Sequence, residues 1–360
     1  MPLTECPTIR GWATPPPRGQ PDHMTTTENP TAPSDTDVSP EPILRIAGGF
    51  MASKHLFAAS DLGIFEALGQ GPTDLAGLAA RTGLTRRGAR ISADAMVALG
   101  LVEREDDTYR NSPVAKAYLA GGTPLDMRPL LRFWDRISLP AWLHLATALA
   151  TETPREIYDI DEELKPTMSA GIEAFQAGPS MTLPHVLDLS GARRLLDIGG
   201  GTGSWSIALV RHHLSLTATV LELPDIAPIA QERIAEAGLQ DRIDVLAGDA
   251  TEAIPRGYDA FLLANVVHYW SPQRNIATLR RIRAAAEPGA LVALVDFWTD
   301  RTHTDPFEAA MMAGEFAAHL KEGDVYSVDE AAAWLSETGW RMTEHRPLTG
   351  PMSVVVAQAL

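Results

Sequence analysis

The chain has 360 residues, 45% of them hydrophobic, which is enough apolar mass for a full-sized core and for two or three domains. Its formal net charge is −16, and an acidic surface of that size repels nucleic-acid phosphates and anionic membrane, so neither is expected as a partner. The single cysteine, Cys6, allows no internal disulfide and no thiolate metal site. No apolar run reaches the ~18 residues of a bilayer span and no signal-peptide core is visible, so a cytoplasmic protein is expected.

Residues 1–41 are rich in Pro, Thr, Ser and Asp. They cannot bury enough apolar surface to offset the entropy of ordering, and a disordered tail is expected, with Met24 as an alternative start. Residues 42–120 carry helical signals: a long apolar stretch over 43–68, then Thr73 as the cap of DLAGLAARTG and Thr85 as the cap of RRGARISADAMVALG. Two short strands, LVERE and TYRNS, flank Asp106 and Asp107, and the helix PVAKAYLA follows. Three helices and a wing describe an otherwise all-helical winged-helix domain. Residues 121–190 are helical again and hold Phe133, Trp134, Trp142, Tyr158 and Phe175, which points to a pocket for a flat, apolar acceptor.

From Arg193 the period changes. RRLLDI, ATVLEL, IDVLAG, DAFLLA and ALVALVDF are apolar on both faces and alternate with helical stretches, so residues 191–360 are expected to form an α/β domain with a doubly wound parallel sheet. WRMTEHRPL and MSVVVAQAL close the chain around Gly350-Pro351. Joined by a turn with no crossover helix, they must pair as an antiparallel hairpin.

In such sheets ligands bind beyond the carboxyl ends of the strands. The five parallel strands are expected to end in Asp197, Glu222, Asp249, Asn265 and Asp296. The first turn, DIGGGTG at 197–203, supplies Gly199, Gly201 and Gly203 for a tight reversal and a close backbone approach to a ligand. Counting from Gly199, the third position of a dinucleotide fingerprint falls on Ser204, so diphosphate binding fails. An acid just before the glycines suits a cation, and S-adenosylmethionine carries an ammonium and a sulfonium. Glu222 is placed for the ribose hydroxyls and Asp249 for the adenine amino group. His268, just past the fourth strand, is a candidate base if Asp296 on the neighbouring strand orients its imidazole. Against this stands the plain reading, in which glycines make a turn and a lone histidine is structural.

At these residues the sequence resembles the small-molecule O-methyltransferases that include the caffeate, isoflavone and hydroxyindole enzymes and their bacterial natural-product relatives. The matching pieces are LLDIGGGTG, ELP at 222–224, GDA at 248–250, VVHYW at 266–270 and EPGALVALVD at 287–296, and the resemblance covers about 43–360. It implies a Rossmann-like fold, S-adenosylmethionine as cofactor, a winged-helix domain that makes a homodimer, and a small aromatic substrate. The composition fits bacterial secondary metabolism such as antibiotic biosynthesis.

By the same resemblance Asp197, Gly199, Gly201, Glu222, Gly248, Asp249, Ala250 and Asn265 correspond to cofactor-binding positions, and His268 and Asp296 to the base and its partner. Met311 and Met312 resemble thioethers that line the acceptor slot, with ordinary core methionine as the alternative. Three departures stand out. Val325 replaces a second carboxylate, with Asp324 adjacent; Ala264 replaces a basic residue four before the base; and His-Tyr-Trp replaces His-Asp-Trp. Nitrogen or carbon acceptors, another reaction on the same scaffold, and a winged-helix transcription factor with Arg86, Arg87 and Arg90 on its recognition helix remain as alternatives.

Overall fold

The computed structural model describes residues 38–157 and 159–360. Residues 1–37 of the expected tail, Cys6 and Tyr158 lie outside the described residues. The chain divides into two units, 1–48 and 49–360. Of the first, residues 38–48 are described, and Glu41, expected in the tail, already begins helix α1 (Glu41–Asp61).

The apolar stretch expected as one helix over 43–68 is two. Gly63, at φ 72°, separates α1 from α2 (Ile64–Gly69), because a residue in the left-handed region ends the helical ladder. The short strand β1 (Thr73–Asp74) precedes α3 (Leu75–Thr82), and the cap of α3 is Asp74, whose carboxylate accepts from Gly77 N, and not Thr73. Thr85 caps α4 (Arg86–Ala98) as expected, its hydroxyl accepting from Gly88 N at 3.1 Å. The wing is β2 (Val102–Glu105) and β3 (Thr108–Asn111), and α5 (Pro113–Tyr118) follows. Because β1 also pairs with β3, this region holds a three-stranded antiparallel sheet and is not all-helical apart from a two-stranded wing. Ile64, Phe65, Leu78, Met96 and Tyr109 are buried together at its centre.

Helices α6 (Arg128–Phe133), α7 (Leu139–Trp142), α8 (Leu145–Thr151) and α9 (Lys165–Val186) follow, with a π-helical turn at Trp134–Ser138 joining α6 to α7. Next, β4 (Arg194–Ile198), β5 (Thr217–Glu222), β6 (Ile243–Ala247), β7 (Ala260–Ala264) and β8 (Leu291–Asp296) pair in parallel. Helices α10 (Ser204–His212), α11 (Ala227–Glu236) and α12 (Pro272–Ala285) lie between them in sequence, and α13 (Phe307–His319) and α14 (Val328–Glu337) follow β8. The hairpin β9 (Trp340–Pro347) and β10 (Ser353–Ala359) completes a seven-stranded sheet in the order β6-β5-β4-β7-β8-β10-β9, with β10 antiparallel to both β8 and β9.

Both faces of this sheet are covered. Along β7, Ala260, Leu262 and Ala264 enter one core while Phe261 and Leu263 enter the other. That alternation is why the strands read as unbroken apolar runs. The strand order reverses between β4 and β7, and such a switch point opens a crevice at the carboxyl edge.

Candidate active site

A cavity of about 510 Å³ lies beyond the carboxyl ends of β4, β5, β6 and β7. Of the residues expected to hold a cofactor, Gly199, Glu222, Gly248, Asp249, Ala250 and Asn265 line it. Asp197 and Gly201 do not. Glu222 and Asp296 are the last residues of their strands; Asp197 is the penultimate residue of β4, Asn265 is one past β7 and Asp249 is two past β6.

The glycine turn is built around two carboxylates. Gly199, Gly201 and Gly203 all have positive φ, a backbone conformation that residues with a Cβ rarely adopt, and this lets the chain reverse tightly here. Glu222 accepts from Gly201 N at 2.8 Å and from Leu223 N at 2.7 Å, which ties the turn to the end of β5. Asp197 lies fully buried beneath the turn and accepts from Ser206 Oγ at 2.7 Å, while its Oδ1 has no hydrogen-bond partner. Burial, with the nearby Glu222 charge adding to it, pushes the Asp197 carboxyl up to about 7 against the opposing Ser206 bond. Asn265 holds φ 57°, a conformation that asparagine tolerates, and its buried Oδ1 is likewise without a partner. Asp249 accepts from Thr251 N at 2.7 Å, and hydrogen bonds from Thr251 hold its carboxyl below the usual range.

His268 sits in a single helical turn, Val267–Tyr269, between Val266 and Tyr269 of the cavity wall. Asn275 of α12 donates to Val267 O and Trp270 O at 3.0 and 3.1 Å, and the Tyr326 hydroxyl donates to Trp270 O at 2.6 Å. Gly323 passes so close to this turn that a Cβ would come within 2.1 Å of the His268 carbonyl. His268 Nδ1 and Asp296 Oδ1 are 2.7 Å apart, both residues are buried, and the His268 amide donates to Asp296 Oδ2 at 3.2 Å. The Phe297 amide donates to Asp296 Oδ1 at 2.9 Å, so the carboxylate is held from two sides.

Asp324 reaches His268 only through its backbone amide, 3.1 Å from the His268 carbonyl; its own carboxylate accepts from Val325 N at 2.7 Å. Burial raises the Asp324 carboxyl above the usual range. Val325 is buried in the core, so no second carboxylate stands at that position.

Aromatic rings extend from His268 toward the 121–190 region. His268 and Phe297 are 6.0 Å apart, Phe297 and Phe175 5.7 Å, and Phe175 and Trp134 6.5 Å. Met312 packs against this core, whereas Met311 is 50% exposed. Successive residues on a helix point about 100° apart, so the two methionines cannot both face inward. Several cavity residues escaped the sequence reading: Trp270, Arg274, Leu320, Lys321 and Glu322. Trp270 was visible in VVHYW. The Arg274 guanidinium lies 5.3 Å over the Trp270 ring, and residues 320–322 reach the cavity only because α13 ends there.

The O-methyltransferase domain family matches residues 155–341, and the O-methyltransferase dimerisation domain family matches residues 44–121. The chain belongs to the S-adenosylmethionine-dependent O-methyltransferases. The 3-hydroxy-5-methyl-1-naphthoate 3-O-methyltransferase of Streptomyces sahachiroi is 34% identical to this methyltransferase, over 82% of this chain and 87% of that one. The tetracenomycin polyketide synthesis 8-O-methyl transferase TcmO of Streptomyces glaucescens is 30% identical, over 89% and 96%. Among solved structures, the S-adenosylmethionine-dependent methyltransferase SibL in its apo form superposes with TM-score 0.77 at 29% identity, covering 89% of the methyltransferase and 99% of that chain. Among the described residues of the methyltransferase, no helix is long and apolar enough to cross a membrane.

Proposed function

We propose that this methyltransferase methylates a hydroxyl on a small, flat aromatic acceptor, a phenol or an aromatic polyketide, with His268 as general base and Asp296 as the carboxylate that orients it. The observation that carries this reading is the 2.7 Å contact between His268 Nδ1 and Asp296 Oδ1 beside the cavity. An Nδ1–H given to the carboxylate leaves the Nε2 lone pair as the proton acceptor. A phenol with pKa ~10 is mostly protonated near neutrality and is a poor nucleophile. A positioned imidazole that removes this proton contributes about 10²–10⁴-fold, and Asp296 stabilises the imidazolium that results. The names of the two Streptomyces relatives, a naphthoate and a tetracenomycin methyltransferase, support the aromatic acceptor and a place in antibiotic biosynthesis.

The cavity's chemistry fits the cofactor. Glu222, Asp249 and Glu322 outnumber Arg274 and Lys321 in its wall, which suits a ligand bearing an ammonium and a sulfonium. The unpartnered buried Asn265 Oδ1 leaves an acceptor for a donor on that ligand. Glu222 would take the ribose hydroxyls, Asp249 and Ala250 the adenine edge, and Gly199 and Gly248 the backbone contacts, with Gly201 holding Glu222 through its amide and Asp197 supplying negative charge from beneath the turn. When bound, S-adenosylmethionine supplies a methyl carbon on sulfonium: the acceptor oxygen forms its O–C bond as the C–S bond breaks. Phe175 and Met312, packed against the core that holds Phe297, would line the acceptor side, and the half-exposed Met311 would contribute only at its margin. The same proposal makes the protein a cytoplasmic homodimer that engages no nucleic acid.

The decisive experiment is His268→Gln in single turnover with saturating cofactor, against a panel of phenolic acids and polyketides read by mass. The expected loss is about 10²–10⁴-fold. A rate within about threefold of wild type would mean that proximity alone carries the reaction.

A further inference from the structure

The base is held at one atom and covered on one face. The Phe316 ring lies parallel to the His268 imidazole, with centroids 4.1 Å apart and planes 5° from each other. Phe297 meets the pair edge-on, 6.0 Å from His268 and 5.7 Å from Phe316, both at 60°. Phe316 is buried. The hydrogen bond at Nδ1 restrains but does not by itself stop rotation of the ring about its Cβ–Cγ bond, which tilts the imidazole plane and turns the Nε2 lone pair. A ring lying flat on the imidazole blocks this motion, because any tilt drives carbon into carbon.

Phe316 is itself anchored. Its neighbour Glu315 is buried and accepts from Ser138 Oγ at 2.6 Å and from Trp142 Nε1, while its other oxygen lies 3.3 Å from His319 Nε2. A Cβ at Gly314 would come within 2.6 Å of the Trp142 ring, so that indole packs directly on the α13 backbone. The Arg155 amide donates to Ala318 O at 2.9 Å near the end of the helix. Helix α13 therefore cannot roll about its axis without losing a buried carboxylate's partners, and Phe316 keeps its place on the imidazole.

We propose that Phe316 is a positioning residue for the base: it keeps the imidazole plane in the orientation that aims Nε2 at the acceptor hydroxyl. This rests on His268 being the base. Phe316 acts through His268 and takes no part in binding cofactor or in proton transfer. A bland wall of the acceptor slot would behave differently. It would change acceptor affinity, and its loss would multiply with the loss of the base.

The test is steady-state and single-turnover kinetics on Phe316→Leu, Phe316→Tyr, His268→Gln and the Phe316→Leu/His268→Gln double variant, with Phe316→Met in reserve if the leucine variant does not fold. Phe316→Leu is expected to lower kcat about ten- to a hundredfold, since small misalignments of a reacting group cost that much. Both KM values are expected to stay within about twofold, because an interaction felt only during reaction moves kcat alone. Phe316→Tyr, which keeps the ring, is expected to restore kcat to within about threefold. In the His268→Gln background, Phe316→Leu is expected to cost nothing more, since two residues acting as one unit are not additive. An unchanged kcat in Phe316→Leu, a raised acceptor KM with kcat intact, or losses that multiply would overturn the proposal. His268→Gln at the wild-type rate would remove the base and this proposal with it. An impaired His268→Gln beside an unaffected Phe316→Leu would remove Phe316 alone.

Discussion

At Asp197 the fold buries a carboxylate completely and leaves its Oδ1 without a hydrogen bond. Its carboxyl stands at about 7, above the unfolded value of 3.8, so between those limits the folded protein holds a proton that the unfolded chain has released. Stability from this group is therefore present below the lower value and is lost as pH rises toward the upper one. A cation bound over the glycine turn favours the ionised form, so S-adenosylmethionine binding is expected to release a proton and to tighten as pH rises to about 7, then level. Calorimetry in buffers of different ionisation enthalpy measures this release; equal affinity at about pH 6 and about pH 8 would contradict it. Asp197→Asn is expected to flatten the pH dependence and weaken binding. Glu222→Ala is expected to cost cofactor affinity about 1.5–3 kcal/mol, the worth of a charge-assisted hydrogen bond, and unchanged affinity would remove Glu222 from the site. Asp296→Asn is expected to slow turnover less than His268→Gln does, because it keeps a hydrogen bond while unsettling the tautomer.

Among the elements, α14 shows how local chemistry supports the site. Ser327 and Glu330 form a reciprocal cap: Ser327 Oγ accepts from Glu330 N at 3.2 Å, and Ser327 N donates to Glu330 Oε2 at 2.7 Å. The residue before the cap, Tyr326, holds the Trp270 carbonyl. Ser327→Ala is expected to destabilise the protein by about 1 kcal/mol, as loss of a helix cap does, and a thermal melt that does not move would contradict it. The strands of the α/β domain and the helices α10, α11 and α12 were legible because their apolar runs are long and their periods distinct; α13 and α14 were not anticipated. The winged region was less so. Gly63 breaks a stretch whose hydrophobicity is continuous, and β1 is only two residues long, joined to β3 by pairing across more than thirty residues. Neither a left-handed glycine nor so short a strand leaves a periodic signal.

For the whole molecule, assembly and metal independence are the testable properties. Phe50 and Met51 on α1 are 59% and 57% exposed, and the dimerisation domain family covers this helix from residue 44. Light scattering is expected to give a homodimer, and a monomer at micromolar concentration would contradict that. With the proposed His268 base, activity is expected to survive EDTA; loss on chelation and rescue by magnesium would point to a metal-assisted mechanism. No shift of random duplex DNA is expected in a low-salt gel, given the net charge of −16.

The sequence by itself determined the five parallel strands and closing hairpin of the α/β domain, the glycine turn and the acids near the strand ends, since these depend on local periodicity and on backbone freedom within a few residues. The pairing of His268 with Asp296 could be anticipated because neighbouring parallel strands end side by side. Only the tertiary structure decided which of those residues face the cavity. It turned Asp197 beneath the loop, which depends on how β4 meets the glycine turn, and gave Met312 rather than Met311 to the core, which depends on the rotation and packing of α13. It alone also laid Phe316 on the imidazole and brought Ser138 and Trp142 to Glu315. These contacts join segments far apart in sequence, and their partners are chosen by how the helices pack, which no local pattern encodes.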